Sequence, residues 1–117
     1  MTAADLAAAQ LLAYNAHDIE AFVACYAEDV HVLDAEGQPT LVGREAFRAA
    51  YGRLFTEWQE VGAAVDQRLV AEPHAIDLER WWRIRPADGQ RLEGTVLARY
   101  TVKNGLIATV QFFRAGA

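Results

Sequence analysis

From Thr2 to Tyr14 the chain is rich in alanine and leucine, and Leu6, Ala9, Gln10, Ala13 and Tyr14 recur at helical spacing. Thr2 before Ala3-Ala4-Asp5 provides an N-cap with an acidic first turn, so a first helix is predicted to about Tyr14. Asn15 to His17 break it, and Asp18 caps a second, short helix whose buried face is Phe22, Cys25 and Tyr26. Glu28-Asp29 lead into a strand, Val30 to Asp34, and Glu36-Gly37-Gln38-Pro39 read as a turn into a brief returning strand, Thr40-Leu41-Val42. Gly43 opens a third helix, Arg44 to about Trp58, with Phe47, Tyr51, Leu54, Phe55 and Trp58 as its apolar stripe.

After Gly62 the period changes from helical to alternating. Val65, Gln67 and Leu69 suit a strand ending near Pro73. In the next strand Ile76, Leu78, Arg80, Trp82 and Ile84 share one face, opposite Asp77, Glu79, Trp81, Arg83 and Arg85. Asp88-Gly89 signals a hairpin, and Leu92, Gly94, Val96, Ala98, Tyr100 and Val102 then share a face. Asn104-Gly105 signals a second hairpin, and a last strand runs from Leu106 to about Arg114. Helices first and long hairpin-linked strands last define an α+β fold: a curved, cone-shaped antiparallel sheet with three N-terminal helices on its concave side. No linker or repeat divides residues 1–117, so one domain is expected.

Composition narrows the function classes. A chain of 117 residues with 53% hydrophobic content can bury a core without metal or disulfide staples. A net charge of −5 without a basic stripe argues against a nucleic-acid partner. Met1-Thr2-Ala3-Ala4-Asp5 lacks the basic start of a secretory signal, and no apolar run approaches the roughly 18 residues of a membrane span, so no membrane partner and a cytoplasmic location are expected. Ten arginines against a single lysine, with abundant alanine, fit a bacterial chain from a GC-rich genome. Cys25 is the sole cysteine, and the helical face it shares with Phe22 makes it a core thiol. His17, His31 and His74 lack the spacing of a helix metal site, so neither metal nor cofactor is expected.

Asp34 stands out among the polar residues. It shares parity with Val30 and Val32, which aims a carboxylate where apolar residues aim, a costly arrangement unless the group is paired, solvated or used. The stretches Asn15-Ala16-His17-Asp18 and Tyr26-Ala27-Glu28-Asp29-Val30, the Gly43-to-Tyr51 helix start and the Asn104-Gly105-Leu106-Ile107 turn resemble the nuclear transport factor 2-like (cystatin-like) superfamily. Its SnoaL-like polyketide cyclases and bacterial ketosteroid isomerases are the nearest branches. That resemblance covers the whole chain and implies the same cone. It places Asp34 at the position of a catalytic aspartate base, and Tyr26 and Tyr51 at positions of a supporting aromatic network. Gln10 falls where the isomerases keep an oxyanion-hole tyrosine, with Tyr14 one turn further on, and Ala98 falls where they keep a protonated aspartic acid.

The expected catalytic set is therefore Asp34, Tyr14 and Tyr51, and the expected ligand-binding set is Gln10, Tyr26, Trp58, Arg80, Trp82, Ala98 and Tyr100. Arg80, on the apolar parity between Leu78 and Trp82, would anchor a carbonyl or anion, or else pair with Asp34 and lower its pKa. The tyrosines offer phenolic donors or serve only as core, and Trp58 and Trp82 form pocket wall. The implied function is a pocket for an apolar, carbonyl-containing small molecule, either as a cofactor-free isomerase or cyclase (lyase) with Asp34 as base, or as a binding or sensing protein. An interaction module like the transport factors suits the composition less well. Trp81, Leu97 and one parity of Leu106 to Phe113 would put apolar surface outside the cone and pair two copies through the outer sheet face.

Overall fold

The Thr2 hydroxyl accepts the Asp5 backbone N–H while the Asp5 carboxylate accepts that of Thr2, a reciprocal cap that starts α1 (Ala3–Asn15) where its pattern predicts. The structure is a computed structural model and describes residues 1–115. The Glu72 carboxylate also accepts the Ala3 N–H, at 3.0 and 3.1 Å, and so ties the start of α1 to a distant hairpin. At the other end the Asn15 amide bonds the Ala63 backbone twice, at 2.8 and 2.9 Å, and holds the helix against the sheet.

Asp18 caps α2 (Ile19–Val23) as expected. The helix stops earlier than its apolar pattern implies, because Tyr26 already belongs to β1 (Tyr26–Leu33). Next come β2 (Pro39–Val42), α3 (Arg44–Glu57), β3 (Glu60–Ala71), β4 (His74–Ile84), β5 (Arg91–Lys103) and β6 (Leu106–Arg114). Among the described residues the strands form a single sheet of order β2-β1-β6-β5-β4-β3. Neighbours are antiparallel except β1 and β6, which run parallel, an arrangement that the long stretch of chain between them permits. The helices pack on the concave face, where Leu6, Phe22, Phe47, Val30, Ile107 and Val110 are buried.

On β5 the faces fall as predicted: Val96, Ala98 and Tyr100 are buried on the concave side. On β4 they are reversed. Glu79 pairs with Val96, Trp81 with Gly94 and Asp77 with Ala98, so the mixed, charged parity of β4 points into the cone. Its more apolar parity, with Ile76, Leu78, Arg80 and Trp82, lies on the convex side. Residues directly opposite in an antiparallel pair share a face, so register overrides the hydrophobic pattern.

Two glycines seat the tryptophans. The Trp81 indole lies over Gly94 on the concave face, where an added Cβ would stand 2.8 Å from the ring. Trp82 lies over Gly62 on the convex face, where it would stand 2.5 Å away. Trp81 is thus inside the cone and is not the outer-face contact expected from the sequence. A register shift between Val65 and Gln67 likewise sends Val65 and Leu69 to opposite faces, although their numbers share parity.

Candidate functional site

Between the helices and the concave sheet lies a cavity of about 140 Å³. Its base is a hydrogen-bonded row drawn from three elements. The Tyr26 hydroxyl donates to Gln10 Oε1 at 3.0 Å. Gln10 Nε2 donates to the Tyr100 hydroxyl oxygen at 3.0 Å and to the Ala7 carbonyl at 3.1 Å. Donation therefore runs from Tyr26 through Gln10 to Tyr100, and the Tyr100 O–H is the donor left at its end. Burial raises the pKa of both phenols, and the negative charges of Glu79 and Asp77 raise Tyr100 further, so each stays protonated.

The wall is aromatic. Helical spacing puts Gln10 and Tyr14 of α1 one turn apart, and likewise Phe47 and Tyr51 of α3. Phe22 stacks on Phe47 at 5.4 Å and tilts against Tyr51 at 4.9 Å, while Tyr14 meets Phe55 edge-on at 5.5 Å. Burial raises the pKa of Tyr14 and Tyr51 as well, with Arg83 opposing the rise in both.

The sheet side carries the charge. Asp77 is fully buried and held by a two-pronged ion pair with Arg68 at 2.7 and 3.0 Å. One pleat along β4, Glu79 has no hydrogen-bond donor among the described residues, and burial raises its pKa to about 7, with Asp77 adding to the rise and Arg83 opposing it. Further out, the Arg83 guanidinium sits 5.2 Å from the Trp81 ring centre and 5.9 Å from that of Trp58. Arg114, opposite Val96 on β6, also lines the cavity.

The structure brings Gln10, Tyr14, Tyr26, Tyr51 and Tyr100 together around this cavity. Ala98 is buried in the floor between Val96 and Tyr100 without lining it, and Trp58 touches the site through Arg83. Asp34 is not part of it. The register shifts after Val32, β1 ends at Leu33, and the Asp34 carboxylate accepts the backbone N–H groups of Glu36 and Gln38 at 3.0 and 2.9 Å. The carboxylate that strand parity aims into the cone is instead committed to the following turn. Arg80 is likewise displaced: it is exposed on the convex side and paired with Asp66 at 2.9 Å. Trp82 lies on that same side, with Arg91 5.7 Å from its ring centre.

Sequence reasoning missed Glu79, Trp81, Arg83 and Arg114. A signal for the first three was present. Pairing across the Asp88-Gly89 turn sets odd-numbered β4 residues opposite even-numbered β5 residues, for a two- or a four-residue loop alike. The inward parity of β5 therefore implies the charged parity of β4.

The geometry is that of a cone-shaped α+β pocket domain. The SnoaL-like domain family matches residues 7–110, and the chain belongs to that family. No curated protein matches the sequence. Among solved structures, an uncharacterised cystatin-fold protein from Novosphingobium aromaticivorans has a TM-score of 0.88 at 24% identity, over 97% of this chain and 99% of that one. A candidate polyketide cyclase from Pseudomonas putida has a TM-score of 0.84 at 24% identity, over 98% and 92%. A protein of ketosteroid isomerase-like fold from Catenulispora acidiphila, solved in complex with trimethylamine, has a TM-score of 0.82 at 15% identity, over 97% and 88%. These likenesses concern the fold.

Proposed function

We propose that this SnoaL-like domain binds a small carbonyl compound in its cone and moves a proton next to the carbonyl, a cofactor-free isomerisation or cyclisation. Glu79 takes the base role that the family resemblance implies for Asp34. The observation that carries this reading is the Glu79 carboxyl, which lines the cavity without a hydrogen-bond donor among the described residues and whose pKa is raised to about 7. A carboxyl titrating near neutrality both accepts and returns a proton effectively. In this scheme Glu79 accepts the α-proton, and the C–H electron pair passes into the carbonyl. The oxygen that becomes an enolate receives the Tyr100 O–H, held in place by Gln10. Reprotonation from Glu79 at another carbon completes an isomerisation.

Size limits the substrate. A cavity of about 140 Å³ is close to the roughly 150 Å³ that admits a benzene molecule, and well below the roughly 300 Å³ at which drug-sized sites begin. That favours one ring or a short chain over a steroid. The aromatic wall and the ligand reported in the Catenulispora neighbour are consistent with a small guest.

Deuterium exchange at the α-carbon of cyclopentanone and cyclohexanone, followed by proton NMR in heavy water, tests the scheme. Wild-type protein is expected to speed exchange, Glu79→Gln to reduce the enzymatic rate by at least about 10²-fold, and Asp34→Asn to leave it unchanged. Binding of these ketones without accelerated exchange would favour the non-catalytic binding or sensing reading. The proposal includes pairing of two copies through the convex face, with Leu78, Leu97 and Phe113 as contacts in place of Trp81.

A further inference from the structure

The chain has ten arginines, and seven have polar partners among the described residues. Arg48, Arg68, Arg80, Arg85 and Arg91 pair with carboxylates. Arg44 bonds the Tyr26 carbonyl and Arg99 bonds Gln111. Arg53 is exposed. The remaining two, Arg83, whose guanidinium lies beside the Tyr14 hydroxyl, and Arg114, which is exposed, both line the cavity.

Arg83 is the more informative. Its Nε is buried with no hydrogen-bond partner, and no carboxylate lies within ion-pair reach among the described residues. A buried guanidinium N–H without an acceptor is costly unless something supplies one. Trp58 and Trp81 flank the guanidinium and restrict its orientation, and Gly94 gives Trp81 its place. The site thus holds a positioned, donor-rich cation beside a cavity of one-ring volume. We infer that the guest of the cone is an organic anion, a monocyclic carboxylate whose ring occupies the aromatic wall and whose carboxylate is bound by Arg83, with Arg114 adding positive charge.

This inference rests on the reading of the cone as a ligand site and adds the charge of the ligand. A cationic guest would suit the aromatic wall and Glu79. It would also face two guanidiniums against one carboxyl whose ionisation burial disfavours. A carboxylate gains charge-assisted, two-pronged bonds from guanidinium geometry, which a neutral isostere does not.

The experiment is a titration of wild-type protein with benzoate, benzamide and benzylammonium at pH 7.0, read by tryptophan fluorescence and by calorimetry. Benzoate is expected to bind at least about tenfold more tightly than benzamide, and benzylammonium most weakly. Arg83→Gln should remove the preference by weakening benzoate about tenfold while leaving benzamide within about twofold, and Arg83→Lys should recover part of it. Circular dichroism checks that both variants fold, and the wild-type ranking of the three probes decides the matter even if they do not. Equal binding of benzoate and benzamide, or a preference for benzylammonium, overturns the anion while leaving the cone a ligand site. Failure of all three probes to bind overturns both readings.

Discussion

Glu79 and Asp34 show how local surroundings decide what a carboxylate does. Asp34 stands at a strand end where two backbone N–H groups converge on it, and it caps a turn. Glu79 has burial without such donors among the described residues, and the nearby Asp77 charge adds to the cost of ionising it. The consequence is a dependence of stability on pH. The Glu79 pKa is raised from 4.5 to about 7, so between those values the folded chain holds a proton that the unfolded chain has released. Stability therefore falls as pH rises through that window and levels off above it. Glu79→Gln should flatten this part of the profile and leave the variant more stable than wild type at pH 8, by on the order of 2 kcal/mol. Urea denaturation at intervals from pH 4 to pH 8 measures both. An unchanged slope in the variant would show that Glu79 is not the titrating group.

At the scale of elements, β4 is the strand that makes this cone more than an apolar core. Pairing with β5 turns Asp77, Glu79, Trp81 and Arg83 inward, and the tight approach of Trp81 to Gly94 sets how the indole lies. Gly94→Ala places a methyl group within the ring's contact distance, and a tryptophan against a sheet cannot yield as a flexible chain end would. The variant should lose about 1–3 kcal/mol of stability by overpacking. It should also loosen the contact of the Arg83 guanidinium with the Trp81 ring. Loss of near-ultraviolet circular dichroism from tryptophan, together with a lower denaturation midpoint, is the expected observation. An unaltered spectrum and midpoint would show that Trp81 has another low-energy position.

At the scale of the molecule, the two faces of the sheet serve different purposes. The concave face is closed by helices. The convex face leaves Leu97 at 42% exposure beside Leu78, its partner on β4, and Phe113, its partner on β6. A contiguous apolar patch of this kind commonly marks an interface. Sedimentation at micromolar concentration is expected to show a dimer, and Leu97→Arg to give a monomer that keeps the cone's ligand affinity within a few-fold. A wild-type monomer would count against pairing through this face.

The order of elements was legible in the chain because it depends on local signals. The Thr2 and Asp18 caps, the aromatic stripe of α3, and the Asp88-Gly89 and Asn104-Gly105 turns act over a few residues, and each appears where the pattern implies. The polar base of the site was partly legible too, since Gln10 and the tyrosines lie on elements whose inward faces the periodicity marks. What the alternation of β4 alone left open, and its pairing with β5 settled, was which side of β4 faces the helices. Alternation shows that a strand has two faces but not which is inside, and on β4 the more apolar face is the outer one. One register choice moves Arg80 and Trp82 out and brings Glu79, Trp81 and Arg83 in. The end of β1 at Leu33 likewise removes Asp34 from the face that parity assigns it. Sequence by itself determined the elements and most of the aromatic wall, because those follow from local spacing. Strand pairing, which joins residues far apart in the chain, decided which charges share the cavity.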